Sequence, residues 1–301
     1  MKILITGAAG FVGPHLAKFL KNQGHGLYGF SLHHGEDVRD FEKIRNAVST
    51  VQPDKIFHLA AVSWPGESLR SPVRAFEVNT LGTLNVLEAV RTTGSHAKIL
   101  VTGTSEEYGY DRTDPDEMIT EESVCLPTTP YGASKLGATT AGLAYARRYG
   151  MHVVVTRAWN HTGWGRQAVN AESSFARRIV AVERGQADHI PHGDLSAYRN
   201  FTSVRDVIRA YATVIDAEPG IYNICSANNV PMSEIMSLLM AQSHLNLSRG
   251  HYLKEDPNLV HRDQSVWPVP SNQKIHEATG WAPDVSLRSM LSDVLSYWRS
   301  L

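Results

Sequence analysis

The chain has 301 residues, 42% hydrophobic and 20% charged, with 29 basic against 30 acidic side chains. That length makes room for roughly two domains of ~150 residues each, or one large α/β unit, and the apolar share supports a core and argues against disorder. The charge balance excludes the basic excess of a nucleic-acid or membrane-surface binder. Cys125 and Cys225 are the only cysteines, too few for a disulfide framework or a structural zinc site, so no metal is expected. A reduced, cytoplasmic setting is. The opening run from Met1 to Gly7 is too short for a signal peptide, and no stretch approaches the ~18 apolar residues of a membrane span.

Short β-rich runs alternate with amphipathic stretches. Strands are expected at Lys2–Thr6, Leu27–Ser31, Lys55–Leu59, Lys98–Thr102 and His152–Arg157, and helices at Pro14–Asn22, Phe41–Val51, Arg74–Arg91 and Tyr131–Tyr149. Continuous apolar strands alternating with helices predict an α/β fold, a doubly wound parallel sheet of Rossmann type covered on both faces. Beyond Arg157 the rhythm breaks. Asn160–Ala171 reads as a loop, with helices expected at Glu172–Arg184, Val204–Asp216, Met232–Gln242 and Leu287–Trp298, and a strand at Ile221–Cys225. The reading is a dinucleotide-binding unit made of residues 1–158 and about 201–224. A smaller, discontinuous substrate domain takes about 159–200 and 225–301, with a cleft between the two.

Gly7-Ala8-Ala9-Gly10-Phe11-Val12-Gly13 follows the first strand and opens the first helix. A loop in that position turns backbone N–H groups and the positive helix end toward a pyrophosphate, and glycine lets the backbone approach it. The carboxylate that would bind the ribose of NAD is expected about 20 residues further on. No Asp or Glu occurs between Gly13 and Glu36, which favours NADP(H) over NAD(H). His33, His34 or Arg39 would then help to meet the 2′-phosphate, and Ser31 at the strand end is counted with His33 among the cofactor-binding residues.

Tyr131 and Lys135 share one face of an expected helix, four residues apart. A nearby ammonium lowers a phenol's pKa from ~10, which makes Tyr131 a general acid/base for interconverting a hydroxyl and a carbonyl. Thr104-Ser105-Glu106-Glu107-Tyr108-Gly109 follows the fourth strand, at the sheet end where α/β folds place ligands. Glu106 and Glu107 read equally as solvated loop carboxylates or as chemical groups.

Gly7/Gly10/Gly13, His58-Leu59-Ala60-Ala61, Val78-Asn79 with Gly82–Ala89, Thr104 four before Tyr108, and Tyr131/Lys135 occur in an order that resembles the extended short-chain dehydrogenase/reductases. The resemblance implies Thr104, Tyr131 and Lys135 as the catalytic set, with Lys135 also on the nicotinamide ribose. It places Asn79 in support of the Lys135 site, Asp37-Val38 beside the adenine, and Leu59, Ala60 and Ala61 along the cofactor. Later segments resemble the nucleotide-sugar branch. Asn160 of Asn160-His161-Thr162-Gly163, Arg199 before Asn200-Phe201, Arg262 before Asp263, and Ser63, Ser105 and Glu106 are implied around a nucleotide diphosphate sugar, with Arg262 on its diphosphate. Trp164 stands where the branch carries Pro, and Asn200 where it carries Asp.

The segment from Ser105 to Gly109 is most similar to GDP-4-keto-6-deoxy-D-mannose reductases. This implies NAD(P)-dependent reduction of a C4 keto group in deoxysugar biosynthesis. The alternatives are a 4,6-dehydratase, in which Glu106 is the C5 base, or an epimerase. A third is a regulator that binds the dinucleotide without chemistry. The short stretch Ser31–Gly35 favours a reductase, which exchanges its cofactor each turnover and needs no extra clasp. The resemblance also implies a homodimer through a four-helix interface of Arg74–Arg91 and Tyr131–Tyr149; Leu84, Leu87, Leu136 and Leu143 are candidate positions for that face or, equally, for burial against the sheet.

Overall fold

The computed structural model describes residues 1–109, 118–246, 252–259 and 268–301. Six strands form one all-parallel sheet: Lys2–Thr6, Gly26–Phe30, Lys55–His58, Lys98–Thr104, Val153–Ala158 and Gly220–Ile224. Counted in chain order, the strands lie 2-1-3-4-5-6 across the sheet. The first strand therefore sits inside the sheet, and the chain changes direction of growth on its two sides. Such a switch point opens a crevice at the carboxyl ends of the strands. This is the doubly wound Rossmann-type fold.

Ile3, Leu4 and Ile5 are all buried, as are Val153, Val154 and Val155, because both sheet faces are covered. One face packs the helices Val12–Asn22 and Val204–Val214 through Leu16, Leu20, Val207 and Tyr211. The other packs Phe41–Val51, Gly82–Thr92 and Pro130–Tyr149 through Ile44, Val86, Leu87 and Ala138. Leu87 is thus spent on the core. Leu143 packs partly against the same cluster, while Leu84 and Leu136 remain half-buried. A third core joins Ala171–Glu183, Met232–Ala241 and Leu287–Ser300, which pack beyond the sheet through Phe175, Ile179, Ile235 and Leu291.

Two departures from the expected elements matter for the site. The helix expected at Arg74–Arg91 begins at Pro72 and runs to Thr92, but is interrupted by one π-helical turn at Glu77–Leu81, a wide turn that buries Asn79. Asn160–Thr162, expected as loop, is a short strand paired with Phe201–Ser203. Helix Pro130–Tyr149 has the start and stop its sequence predicts. Thr129 Oγ1 accepts the Gly132 N–H at 3.0 Å, Pro130 occupies the first turn, and Gly150 closes the end at φ +65°. No helix among the described residues is long and apolar enough to cross a membrane.

Candidate active site

At the carboxyl end of the sheet a cavity of about 670 Å³ runs from the glycine loop to Tyr131 and Lys135 and on to Asn160 and Arg166. Its floor is Gly7, Gly10, Phe11, Val12 and Gly13. Gly7 has φ +69°, and a Cβ there would stand 2.6 Å from the Ala60 backbone nitrogen; one at Gly13 would collide with the Ala8 carbonyl. The loop therefore presses against the turn after the third strand, with the N-terminus of the 11-residue helix Val12–Asn22 opening onto the cavity. A pyrophosphate fits this cradle by shape and by the helix dipole.

The wall continues through Leu59, Ala60, Ala61 and Ser63, and a polar chain fixes it. Thr83 Oγ1 donates to the Asn79 carbonyl, so His58 Nε2 donates to Thr83 (3.0 Å) and His58 Nδ1 accepts from Thr6 Oγ1 (2.7 Å). Burial, helped by the Lys135 charge, holds His58 down at about 3, so it is a neutral strut. Asn79 was expected to support the Lys135 site. Its side chain accepts the Val62 N–H (2.8 Å) and donates to the Val62 carbonyl and to Ser134 Oγ (2.9 Å), clamping the cavity turn to the helix that carries Lys135.

At the far end, Ser31, His33, Asp37 and Val38 line the cavity as expected. Asp37 holds Arg39 through Nε and Nη2 (2.6 Å), and Glu77 meets the same guanidinium at 3.3 Å. The sequence ground for NADP does not survive the fold. Glu36, five residues beyond Ser31, turns back so that its Oε2 accepts the Ser31 N–H at 3.0 Å. A carboxylate therefore does stand at the end of the second strand.

Thr104, Ser105, Tyr131 and Lys135 are all buried at the wall of this cavity. Lys135 Nζ donates to the Thr102 carbonyl at 2.7 Å. Burial lowers the Lys135 pKa to about 8, with Glu107 opposing. The phenol does not follow the expected shift. Burial pushes Tyr131 above its usual range, the Glu106 carboxylate adds to this, and the nearby Thr104 hydroxyl pulls the other way. Tyr131 is thus held in the protonated form that can donate a proton at neutral pH.

The two adjacent glutamates have different fates. Glu107 is fully buried, accepts the Thr104 N–H at 2.9 Å through Oε1 and binds Arg157 Nε at 2.8 Å through Oε2. It is part of the frame. Glu106 is half-buried on the cavity wall and its Oε2 accepts from Thr129 Oγ1 at 2.8 Å, at the start of the Tyr131 helix.

On the substrate side, Asn160 lines the cavity as expected. Arg199 does not: strand alternation turns Asn200 inward, onto the Ser226 and Asn228 backbone, and sends Arg199 to the opposite face. Arg262 lies outside the described residues. Sequence reasoning missed Arg166 and His161. Arg166 lies over the Phe11 ring (4.8 Å) with Nη2 on Asn170 Oδ1, and the His161 ring stacks on Phe11. Burial lowers both their pKa values, His161 to about 4. A lone arginine in a Gly- and Trp-rich loop was the one available signal. Among the described residues no three His, Cys, Asp or Glu side chains cluster as metal ligands.

Fold and site together define an extended short-chain dehydrogenase/reductase of the nucleotide-sugar branch, an enzyme of reductase-like type. The GDP-mannose 4,6-dehydratase family model matches residues 29–294, and the chain belongs to that family. It is 30% identical to the GDP-6-deoxy-D-mannose reductase of Pseudomonas aeruginosa, over 99% of this chain and 97% of the relative. The CDP-paratose 2-epimerase of Salmonella typhi is 29% identical over the full length of both. The solved structure of RMD from Pseudomonas aeruginosa complexed with NADPH superposes with a TM-score of 0.88, at 30% identity and over 99% and 97% of the two chains.

Proposed function

We propose that the chain reduces the C4 carbonyl of a nucleotide-linked 4-keto-6-deoxy sugar. The observation that carries this reading is the placement of Thr104, Tyr131 and Lys135, buried together on the wall of one cavity that begins at the glycine loop. Bound along that cavity, a reduced nicotinamide dinucleotide would supply the hydride for the C4 carbon. Tyr131 gives its proton to the oxygen as negative charge develops there, and Thr104, at the end of the fourth strand, orients that oxygen. The Lys135 ammonium, held by the Thr102 carbonyl, would hold the ribose beside the reacting ring. Asn160 and Ser105 hold the sugar, and Arg262 is assigned to its diphosphate because a planar guanidinium matches two phosphate oxygens. Residues 1–158 with about 201–224 form the dinucleotide unit, and the remainder binds the sugar nucleotide. NADPH bound in the 30% identical structure supports NADP(H) as the donor; the Glu36 carboxylate argues against it. A cytoplasmic setting agrees with Cys125 and Cys225 not being joined in a disulfide.

Reductase is favoured over dehydratase by the 30% identical relative and by the stretch after the second strand. That stretch is one 3₁₀ turn, Leu32–His34, closed by Gly35, with no added length to clasp the cofactor. The specific observation on the side of a dehydratase is Glu106, whose charge bears on Tyr131. With GDP-4-keto-6-deoxy-mannose, one reduced cofactor should be consumed per sugar, with no solvent deuterium at C5. Glu106→Gln should keep most of that rate, because the amide preserves size and one acceptor oxygen. Catalytic cofactor use with deuterium at C5 of the product from GDP-mannose, together with a loss of ~10²-fold in the variant, would replace the reductase by the dehydratase.

The homodimer reading rests on the outer surface of the helices Pro65–Arg70 and Pro72–Thr92. Leu69, Val73, Phe76 and Leu81 are exposed there, at 64%, 69%, 42% and 53%. Large apolar side chains in such a run are a surface that a second copy would cover. Light scattering at micromolar concentration should give twice the chain mass; a monomer removes the dimer.

A further inference from the structure

The end of the second strand carries a device the linear sequence hides. Phe30 accepts the Gly7 N–H at 2.8 Å, so this strand end lies directly beside the phosphate loop. Ser31 is extended, Leu32–His34 make a single 3₁₀ turn, and Gly35 reverses the chain at φ +73°. The reversal closes on Ser31 from both sides. The Glu36 N–H donates to the Ser31 carbonyl at 3.1 Å, and Glu36 Oε2 accepts the Ser31 N–H at 3.0 Å. The carboxylate is one-third exposed and lines the cavity, and its Oε1 makes no hydrogen bond to any described residue. In doubly wound sheets a carboxylate at this point accepts both hydroxyls of an adenosine ribose and repels a phosphate on the 2′ oxygen.

The cations nearby are already engaged. Arg39 and Arg74 line this end of the cavity, and both face carboxylates: Arg39 is held by Asp37 and Glu77, and Arg74 faces Glu67 at 3.8 Å. Lys43 Nζ donates to the Gly35 carbonyl at 2.9 Å, and His34 Nδ1 stands 3.9 Å from Glu36 Oε2. The same wall carries His33, an imidazole, and Asp37, another carboxylate. We propose that Glu36 reads the adenosine ribose of the dinucleotide and that the chain prefers NADH to NADPH. This rests on the proposed function only in taking the cavity to hold a nicotinamide dinucleotide.

Fluorescence titration of the full chain with NADH and with NADPH, without any sugar, tests it. Wild type should bind NADH at least about tenfold more tightly, the scale of one charge-assisted hydrogen bond gained or lost. In Glu36→Gln the amide oxygen still accepts the Ser31 N–H, so the turn persists while the charge is gone. NADH should weaken, NADPH should tighten, and the ratio should fall toward one. Equal or tighter NADPH binding by wild type overturns the proposal, as does an unchanged ratio in the variant. If Glu36→Gln does not fold, the wild-type ratio decides alone. Absence of binding by either dinucleotide would strike the proposed function instead, and a chain that binds NADH but reduces no keto sugar leaves Glu36 in its role.

Discussion

Tyr131→Phe is expected to lower turnover of the 4-keto sugar by ~10²-fold or more while leaving the fold and dinucleotide binding in place. The phenol is the proton donor proposed at the reacting oxygen, and the ring it shares with phenylalanine supplies its packing. Only the hydroxyl is lost, on the cavity wall that Tyr131 shares with Thr104. The comparison is kcat at saturating sugar and cofactor, with circular dichroism as the control for folding; turnover within a few-fold of wild type would remove Tyr131 from the chemistry. The wild-type pH profile carries a companion result. Lys135 is lowered to about 8, so its ammonium is present below that pH and is lost as the pH rises through it. The kcat/KM for reduction should therefore be level toward neutrality and fall on the alkaline side of pH 8. A profile flat to pH 10 would mean that the Lys135 charge does not act on the reaction.

The sheet was legible because a parallel strand buried on both faces is apolar without interruption. Ile3-Leu4-Ile5 and Val153-Val154-Val155 can hardly be anything else between turn signals. Where the strand turns polar, the signal fades. The fourth strand continues through Thr102 to Thr104, but its hydroxyls ended the apolar run on paper. Asn160–Thr162 is a strand because Phe201–Ser203 lies beside it, a pairing across forty residues that no local pattern carries. The π turn at Glu77–Leu81 lies within a continuous helical stretch and holds no Gly or Pro that would mark it in the sequence.

The site shows the same limit more sharply. The glycine loop and the Tyr131–Lys135 pair are local motifs, and both line the cavity as expected. Glu36 is not local in that sense. It lies outside the expected window along the chain, yet the Gly35 reversal returns it to Ser31. Arg199 stands off the cavity wall for a related reason, since strand alternation turns Asn200 onto the Ser226 and Asn228 backbone. The sign of the Tyr131 shift was misjudged because a charge four residues away was weighed and burial was not. Here burial and the neighbouring Glu106 prevail.

Glu106 and Glu107 are chemically identical neighbours, and the 3₁₀ turn Ser105–Glu107 separates them by pointing one at the cavity and one into the protein. Inside, the Glu107 carboxylate closes a capping box on Thr104 and pairs with Arg157, whose guanidinium lies 4.6 Å over the Tyr108 ring. Tyr108 Oη in turn donates to Asn223 Oδ1 at 2.7 Å, tying the last sheet strand to the same network. Gly103 belongs to it too, because a Cβ there would collide with Glu107 Oε1 and stand 2.9 Å from the Thr156 carbonyl. Removing one member of such a pair leaves a buried charge without its partner. Glu107→Ala should therefore destabilise the protein by about 3–5 kcal/mol, measured as a shift in urea unfolding. Replacing both members, as in Glu107→Met with Arg157→Met, should recover much of the loss, because no uncompensated charge remains. Activity should not return with stability, since the Thr104 N–H has lost the acceptor that fixes the strand end. A Glu107→Ala protein within about 1 kcal/mol of wild type would show that the pair is not what holds Thr104 against Tyr131.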